Sequence, residues 1–333
     1  MENCNLSCLP NEVGNLILLE TLDLSGNNLP TLPDSICDLT RLKRLTLEGC
    51  NLLHLPSEIG RLISLDTLGL QGNSLRNLPD SILNLARLKS LHLKDSNVTH
   101  LPSEIGRRLI SLETLNLEGN RLLTLPDSIC NLPCLEALIL NDCNLSHLPD
   151  RIGMLSSLKL LELERNNVCS LPNSFSDLAS LEDLRLNDCG RLQSLPQLPV
   201  NILRGWSERS ELHIDTNISL PLDEVPNWFE YQCAGSKFSL VVPPLENRRI
   251  VGWLVPLINY QGQDQMILLH RPLNFEGIHG GDELEIEVIP NPWERVPLLT
   301  VKKCGIHFIY EDNTEVPIEE EKKKFRIKGS RYF

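Results

Sequence analysis

Leucine recurs along the first two thirds of the chain with a fixed spacing. The segment Leu19–Asn27 reads Leu-Glu-Thr-Leu-Asp-Leu-Ser-Gly-Asn, and this pattern returns seven more times. The ninth residues of the units stand at positions 27, 50, 73, 96, 120, 143, 166 and 189, so the step is 23 residues, except for one step of 24 that contains the extra residue of Arg107–Arg108. A fixed period of this length is the signature of a solenoid of stacked coils.

Within each unit, two leucines alternate with residues that are mostly polar, which predicts a short β-strand. Neighbouring side chains in a strand point to opposite faces, so Leu22 and Leu24 are predicted to point into the coil and Thr21, Asp23 and Ser25 away from it. One coil cannot bury its leucines alone, and stacked coils form a continuous core. The strands are therefore predicted to form a parallel sheet, and we call its outward side the concave face.

The second half of each unit reads Leu-Pro-x-x-Ile-x-x-Leu, as in Leu32–Leu39. Proline suits the first position of a short helix. Ile36, Leu39 and Leu42, three residues apart, place an apolar stripe toward the core. The convex side is therefore predicted to carry one short helical or 3₁₀ turn per coil.

The ninth position of the unit is predicted to form a structural ladder inside the coils. A buried amide there can satisfy backbone groups that would otherwise lack partners. Cysteine can replace it because it is small, tolerates burial and offers a weak S–H donor. The ladder residues are Cys4, Asn27, Cys50, Asn73, Ser96, Asn120, Cys143, Asn166 and Cys189.

The unit matches the leucine-rich repeat, Leu-x-x-Leu-x-Leu-x-x-(Asn/Cys)-x-Leu, whose period is about 20–29 residues. We therefore predict an α/β leucine-rich-repeat solenoid, with its C-terminal cap, over residues 1–215. Because Cys4 already lies on the ladder, the chain is expected to begin in mid-strand without a cap. It is thus expected to be the C-terminal portion of a longer protein or the product of a truncated gene model.

Residues 216–333 follow a different pattern. Apolar and polar residues alternate there with period two, for example along Leu284, Ile286 and Val288. Such rows predict strands with one buried and one wet face, and turn signals such as Gly280–Gly281 separate them. An all-β antiparallel sandwich is predicted.

Composition excludes several classes of partner and of chemistry. The net charge of −13 argues against nucleic acid, and no apolar run reaches the roughly 18 residues of a membrane span. No signal peptide is recognised, so the eleven cysteines are expected to be reduced and the protein cytoplasmic, with the charged run Glu319–Lys324 leaving a nuclear location as the alternative. No catalytic, metal or cofactor arrangement fits the repeat register, because His54, His100 and His147 fall in alternate coils, roughly 10 Å apart. We therefore expect that the protein is not an enzyme.

Three motifs accompany the repeats. They are Pro226–Phe229, Gly235–Ser239 and Val301–Tyr310. Together with the repeats they resemble the C-terminal part of plant TIR-type nucleotide-binding leucine-rich-repeat disease-resistance proteins. The resemblance implies that residues 216–333 form a jelly-roll/Ig-like post-repeat domain. It also implies upstream TIR and nucleotide-binding domains in the full-length form. The chain itself has no Gly-x-x-x-x-Gly-Lys-(Ser/Thr) phosphate loop, so nucleotide binding is not carried over.

Two surfaces are candidates for binding a protein ligand. Solenoids bind through extended concave surfaces, and on the concave face the candidates are Arg44, Glu48, Gln71, His92, Lys94, Asn116, Glu118, Ile139, Asn141, Leu160, Glu162, Glu164 and Arg185. Ile139 and Leu160 stand out as an apolar spot rimmed by charge. In the sandwich loops the candidates are Tyr260, Gln263, Trp293 and Arg295.

The function predicted from these observations is recognition of a pathogen effector or a guarded host protein in plant innate immunity. A generic intracellular scaffold is an alternative, because the Leu-Pro-x-x-Ile form also resembles the plant Ras-group-related leucine-rich-repeat proteins. A truncated decoy or regulator of immune receptors is a further alternative.

Overall fold

The computed structural model describes residues 1–186, 188–192, 196 and 199 in full, and the backbone of eight further strands between residues 218 and 329. Contacts divide the chain into two units, of which the first contains Met1–Arg191 and Pro196–Ile202 and the second contains Leu192–Leu195 and Leu203–Phe333. Each unit is treated by itself below.

The first unit is built on an eight-stranded parallel sheet whose strands follow one another in chain order. Each strand pairs with its neighbour in the register set by the repeat, as Thr21 with Arg44 and Asp23 with Thr46. The predicted parallel sheet is therefore confirmed. The strands are β1 Thr21–Asp23, β2 Arg44–Thr46, β3 Thr67–Gly69, β4 Ser90–His92, β5 Thr114–Asn116, β6 Ala137–Ile139, β7 Leu160–Glu162 and β8 Asp183–Arg185.

One short helix lies in each coil on the side away from the sheet, as the sequence predicts. Seven are 3₁₀ helices, at Asn11–Asn15, Asp34–Asp38, Ile59–Arg61, Asp80–Asn84, Asp127–Asn131, Ile152–Met154 and Asn173–Asp177. The eighth is the α-helix α1, Ile105–Arg108, which falls where the repeat is one residue longer. Proline precedes the helix instead of opening it, since Pro33 is the extended N-cap residue of Asp34–Asp38.

Leucine fills the core between the sheet and the helices. Leu24, Leu47 and Leu70, which follow successive strands, have no exposed surface, and Ile36 from the convex side has none either. At about 25 cal/mol per Å² of buried apolar area, this continuous core is the main stabilising contribution. Within the described residues it holds the strands in a fixed register.

The helices differ between alternate coils, so the packing on the convex side repeats every two coils. In alternate coils a buried glycine stands where a side chain would overlap the backbone of the next coil. Gly106, for example, donates its N–H to Ser128 Oγ at 3.3 Å, and an added Cβ would collide with the Ser128 carbonyl oxygen. The glycines are Gly14, Gly60, Gly106 and Gly153, and they face Ser35, Ser81, Ser128 and Ser174. The convex side is thus built from pairs of closely packed coils.

The described strands of the second unit are β9 Ile218–Leu220, β10 Tyr231–Ala234, β11 Lys237–Val241, β12 Arg248–Asn259, β13 Met266–Pro272, β14 Glu283–Val288, β15 Val301–Asp312 and β16 Lys324–Gly329. They form two sheets, one in the order β10-β15-β12-β13-β9 and the other in the order β11-β14-β16. The pairs are antiparallel, except that β14 and β16 run parallel, so an antiparallel arrangement throughout is wrong for these strands. A face-to-face sandwich stays a prediction.

Candidate functional site

The concave face consists of outward columns that cross the eight strands. The strand register aligns the first residue of every strand in one column and the third in another, as with Ala137 and Leu160. Most side chains of these two columns are half-buried against their neighbours, whereas Thr21, Arg44 and Arg185 are exposed. The structure therefore brings the predicted concave residues together on one surface.

Polar side chains fill the half of the face formed by β1–β4. Gly69 has no side chain, and Glu48 occupies the space above it, because an added Cβ at Gly69 would lie 3.2 Å from Glu48 Oε1. Gln71 Nε2 donates to the same oxygen at 3.2 Å. Burial lowers the pKa of His92, and the negative charge of Glu48 opposes that shift.

An ion pair connects the two halves of the face. Lys94 Nζ lies 3.0 Å from Glu118 Oε1, and the side chain of Glu118 is 22% exposed. Asn116 helps to hold the backbone of Glu118 in place, since its Oδ1 accepts the backbone N–H of Glu118 at 3.0 Å. Lys94 and Glu118 therefore belong to one continuous polar surface.

The half formed by β5–β8 combines a fixed polar network with apolar side chains. Asn141 Nδ2 donates to Glu162 Oε2 at 2.6 Å, and Arg185 Nη1 lies 2.8 Å from Glu162 Oε1. The side chain of Glu162 is only 12% exposed. Asn141 Oδ1 accepts the N–H of Glu164 at 2.9 Å. Desolvation acts to lower the pKa of Arg185, but the negative charges of Asp183 and Glu162 together outweigh it, so the pKa is raised.

The apolar spot lies in this network but is less exposed than the sequence suggested. Ile139 and Leu160 are both half-buried, so they offer partial apolar surface on neighbouring strands. The more exposed large apolar residues of the described part lie elsewhere, including Ile17, Ile63 and Ile110. The expectation that these two neighbouring residues are exposed is corrected accordingly, because the outward columns pack against one another.

The ladder lies inside the coils, in the turns that follow the strands, and its hydrogen bonds join neighbouring coils. Asn120, 1% exposed, donates from Nδ2 to the Leu93 and Leu117 carbonyl oxygens, both at 2.7 Å. Its Oδ1 accepts the N–H groups of Ser96, at 3.2 Å, and Val98, at 2.8 Å. One amide therefore satisfies donors and acceptors of two coils, as predicted from its position.

Cysteine performs a smaller part of this task. Cys143 Sγ donates to the Leu117 carbonyl at 3.0 Å, and Cys50 Sγ to the Leu24 carbonyl at 3.1 Å. Burial raises the pKa of the Cys143 thiol to about 12, so it remains a protonated donor at neutral pH. Cys4 has ladder register, but its thiol is exposed and donates to the Glu2 carbonyl.

The ladder alternates strictly between asparagine and a smaller donor, Cys or Ser. After Cys50 the next residue, Asn51, has a φ of 58°, and Asn97 after Ser96 has the same value. Residues after the ladder asparagines do not adopt this left-handed conformation. The alternation was visible in the ladder itself, so the two-coil period could have been found from the sequence.

Neither a metal centre nor a membrane span is found in the part of the chain described. No group of three or more His, Cys, Asp or Glu residues there could hold a metal ion. His147 is exposed and its Nδ1 lies 2.9 Å from Ser146 Oγ, within its own coil. Among the described helices, none has the length and apolar character needed to cross a bilayer.

The predicted loop site falls on Tyr260, Gln263, Trp293 and Arg295. All four lie outside the described residues, so that site stays a prediction.

Sequence comparison tests the repeat directly. The family model "Leucine rich repeat" matches residues 63–122, 86–145 and 133–190, and a second leucine-rich-repeat model matches residues 18–39. The solenoid consists of leucine-rich repeats. No curated protein sequence matches the chain significantly.

Solved leucine-rich-repeat structures are similar to this chain. A leucine-rich-repeat protein of Leptospira interrogans is 31% identical, with 61% of this chain and 62% of that chain covered and a TM-score of 0.42. The leucine-rich-repeat domain of the type III effector XopL is 30% identical, with 55% of this chain and 74% of that domain covered and a TM-score of 0.47. The ectodomain of the Arabidopsis thaliana receptor kinase GASSHO1/SCHENGEN3 is 24% identical, with 64% of this chain and 30% of that ectodomain covered and a TM-score of 0.44.

This chain spans less than two thirds of the Leptospira protein and less than a third of the receptor ectodomain. Leucine-rich repeats commonly bind protein ligands across their extended sheet. The described solenoid is therefore a protein-interaction module in this general sense.

Proposed function

We propose that this chain recognises a protein ligand through its concave face, as the recognition part of a plant TIR-type intracellular immune receptor. The ligand in this proposal is a pathogen effector or a host protein that the receptor guards. The observation that supports recognition is the uninterrupted eight-stranded parallel sheet, whose outward columns carry fixed charges beside apolar surface. Such a surface suits binding by shape and charge complementarity.

The immune role is supported by the sequence motifs Pro226–Phe229, Gly235–Ser239 and Val301–Tyr310, which resemble those of TIR-type receptors. In this proposal residues 216–333 form the jelly-roll/Ig-like sandwich domain and add contacts through their loops. The chain works without catalysis or a cofactor, in the cytoplasm or the nucleus. The TIR and nucleotide-binding domains of a full-length receptor supply the signal.

The test is binding of the purified chain to a panel of purified effectors from plant pathogens, with a concave variant and a matched control. Ile139→Glu places a charge on the concave face, whereas Ile63→Glu changes a residue that is 61% exposed and follows the convex helix Ile59–Arg61. The proposal expects an effector that binds the native chain and the Ile63 variant but loses affinity for the Ile139 variant. Equal binding to both variants would refute a concave site.

One alternative has an observation of its own. The Leu-Pro-x-x-Ile form, as in Leu32–Leu39, also resembles plant Ras-group-related leucine-rich-repeat proteins, which favours a generic intracellular scaffold. The third candidate is a truncated decoy or regulator of immune receptors. Sequencing the transcript from its 5′ end separates these cases. A phosphate loop and TIR domain upstream support the receptor, while a transcript that starts at Met1 favours the decoy.

A further inference from the structure

The two halves of the concave face differ in charge and in apolar surface. On β1–β4 and the outward position two residues beyond each strand, the acidic residues Asp23 and Glu48 are matched in number by Arg44 and Lys94, and no large apolar residue is present. The equivalent positions of β5–β8 have one cation of their own, Arg185, among four carboxylates, and Lys94 of the first half pairs with one of these, Glu118. These carboxylates are Glu118, Glu162, Glu164 and Asp183. The second half is therefore acidic, although the strands have the same geometry.

The column directly before the strands repeats this difference. In the first half it alternates in sign, with Lys43 Nζ 2.8 Å from Glu20. In the second half it contains one lysine, Lys159, which lies 3.0 Å from Glu136, among three glutamates. These are Glu113, Glu136 and Glu182. The excess of negative charge thus extends across the width of the sheet and is not confined to one cluster.

The apolar surface lies in the centre of the acidic half. Ile139 is in register with Glu162, and Leu160 with Ala137, so the two large side chains stand diagonally on adjacent strands about 4.8 Å apart. Asn141 and Arg185 hold the Glu162 carboxylate beside them. A partner that covers this spot gains apolar contact and meets carboxylates whose positions are already fixed, which lowers the entropic cost of binding.

We propose that the acidic half of the concave face, β5–β8, docks a basic protein segment. An apolar side chain of that segment packs on Ile139 and Leu160, and flanking lysine or arginine side chains face the surrounding carboxylates, including Glu118 and Glu164. The inference rests on the proposed function, because it names the ligand chemistry of the same face. Charge complementarity selects this occupant, since an acidic segment would be repelled.

The experiment selects a phage-displayed library of random twelve-residue peptides on the full chain. Enriched peptides are then synthesised, and their binding is measured by fluorescence anisotropy. We expect enriched peptides to carry an excess of Lys and Arg around at least one apolar residue, and their affinity to fall as salt rises. The double variant Glu118→Gln/Glu164→Gln and the variant Ile139→Ser should each weaken binding by about tenfold or more.

The control variant is Ile63→Ser, which changes an exposed residue after the convex helix Ile59–Arg61 and should leave the affinity unchanged. Arg44→Gln, on β2 in the other half of the concave face, is measured beside it. Circular dichroism confirms that each variant retains the fold. Peptides that lose affinity for Arg44→Gln but not for Ile139→Ser would overturn this proposal and leave concave recognition standing. Peptides insensitive to every concave variant would overturn both. A selection without an excess of basic residues would also overturn the basic-segment proposal.

Discussion

The thiol of Cys143 donates a hydrogen bond to the carbonyl oxygen of Leu117, 3.0 Å away in the preceding coil. One coil further, the amide of Asn166 makes the equivalent bond to Leu140 at 2.7 Å, and its Oδ1 also accepts the N–H of Leu145 at 2.9 Å. The two residue types thus occupy equivalent positions but satisfy different numbers of backbone groups.

Because of this difference, replacing a ladder asparagine by alanine should cost more unfolding free energy than replacing a ladder cysteine. Asn120→Ala leaves buried carbonyl and N–H groups of two coils unpaired, so we expect the free energy of unfolding to fall by about 3 kcal/mol or more. Cys143→Ala removes a weak donor, and a loss of about 1–2 kcal/mol is expected. Urea unfolding followed by far-UV circular dichroism measures both. Equal losses would contradict the assigned roles.

Because the paired coils are closely packed, adding a single methyl group between them should destabilise the solenoid. In Gly106→Ala the new methyl group would overlap the Ser128 carbonyl, so the coils must separate and the solenoid should lose about 2–3 kcal/mol. Gly190 has a negative φ and open space around its Cβ position, so Gly190→Ala serves as the control and should be nearly neutral. If thermal unfolding shows that both variants melt alike, close packing of coil pairs is not important for stability.

Much of this solenoid could be predicted from the sequence because one spacing decides it. The positions of Leu22 and Leu24 carry leucine in every coil and alternate with outward residues, and that alternation sets the strand, its register and its buried side. The concave columns follow directly from the register. The partial burial of Ile139 and Leu160 could not be predicted, because it depends on how far neighbouring side chains lean across the sheet.

Other features required the three-dimensional packing. Gly106 lies in a short α-helix, where its lack of a side chain matters because Ser128 approaches from the next coil. The fixed position of Glu162 depends on Asn141 and Arg185, 21 and 23 residues away, which no local pattern joins. The charge of the concave face bears on the chemical class of the ligand, whereas the sequence of the ligand belongs to a partner outside the chain.

Thiol reactivity is expected to separate the solenoid cysteines into two groups. Burial raises the pKa of Cys37 and Cys130 to about 11 each and removes them from reagents. At about pH 8, iodoacetamide should label the exposed thiols of the native solenoid and spare the buried ones until denaturant is added. The exposed thiols are Cys4, Cys8, Cys134 and Cys169. Peptide mass spectrometry reads the positions, and rapid native labelling of Cys130 would contradict its burial.

The raised pKa of Cys143 also predicts how stability depends on pH. The pKa of the thiol is about 12 in the folded chain against 9.0 ordinarily, so the unfolded chain loses this proton first as pH rises. The stability from the buried neutral thiol is thus fully present below about pH 9 and is lost as pH rises toward about 12. Cys143→Ser, which copies the natural ladder residue Ser96, should show a shallower decline in urea unfolding. Identical pH slopes would argue against this origin.

Binding of a ligand by the concave face is tested with the strongest selected basic peptide. Its dissociation constant is measured in parallel for Ile139→Glu and for Ile63→Glu, whose site follows the convex helix. Both variants add the same charge, so overall electrostatics cannot separate them. We predict that Ile139→Glu changes the affinity by about tenfold or more and Ile63→Glu by less than about twofold. A larger loss for Ile63→Glu would place the binding surface away from the sheet and contradict the account.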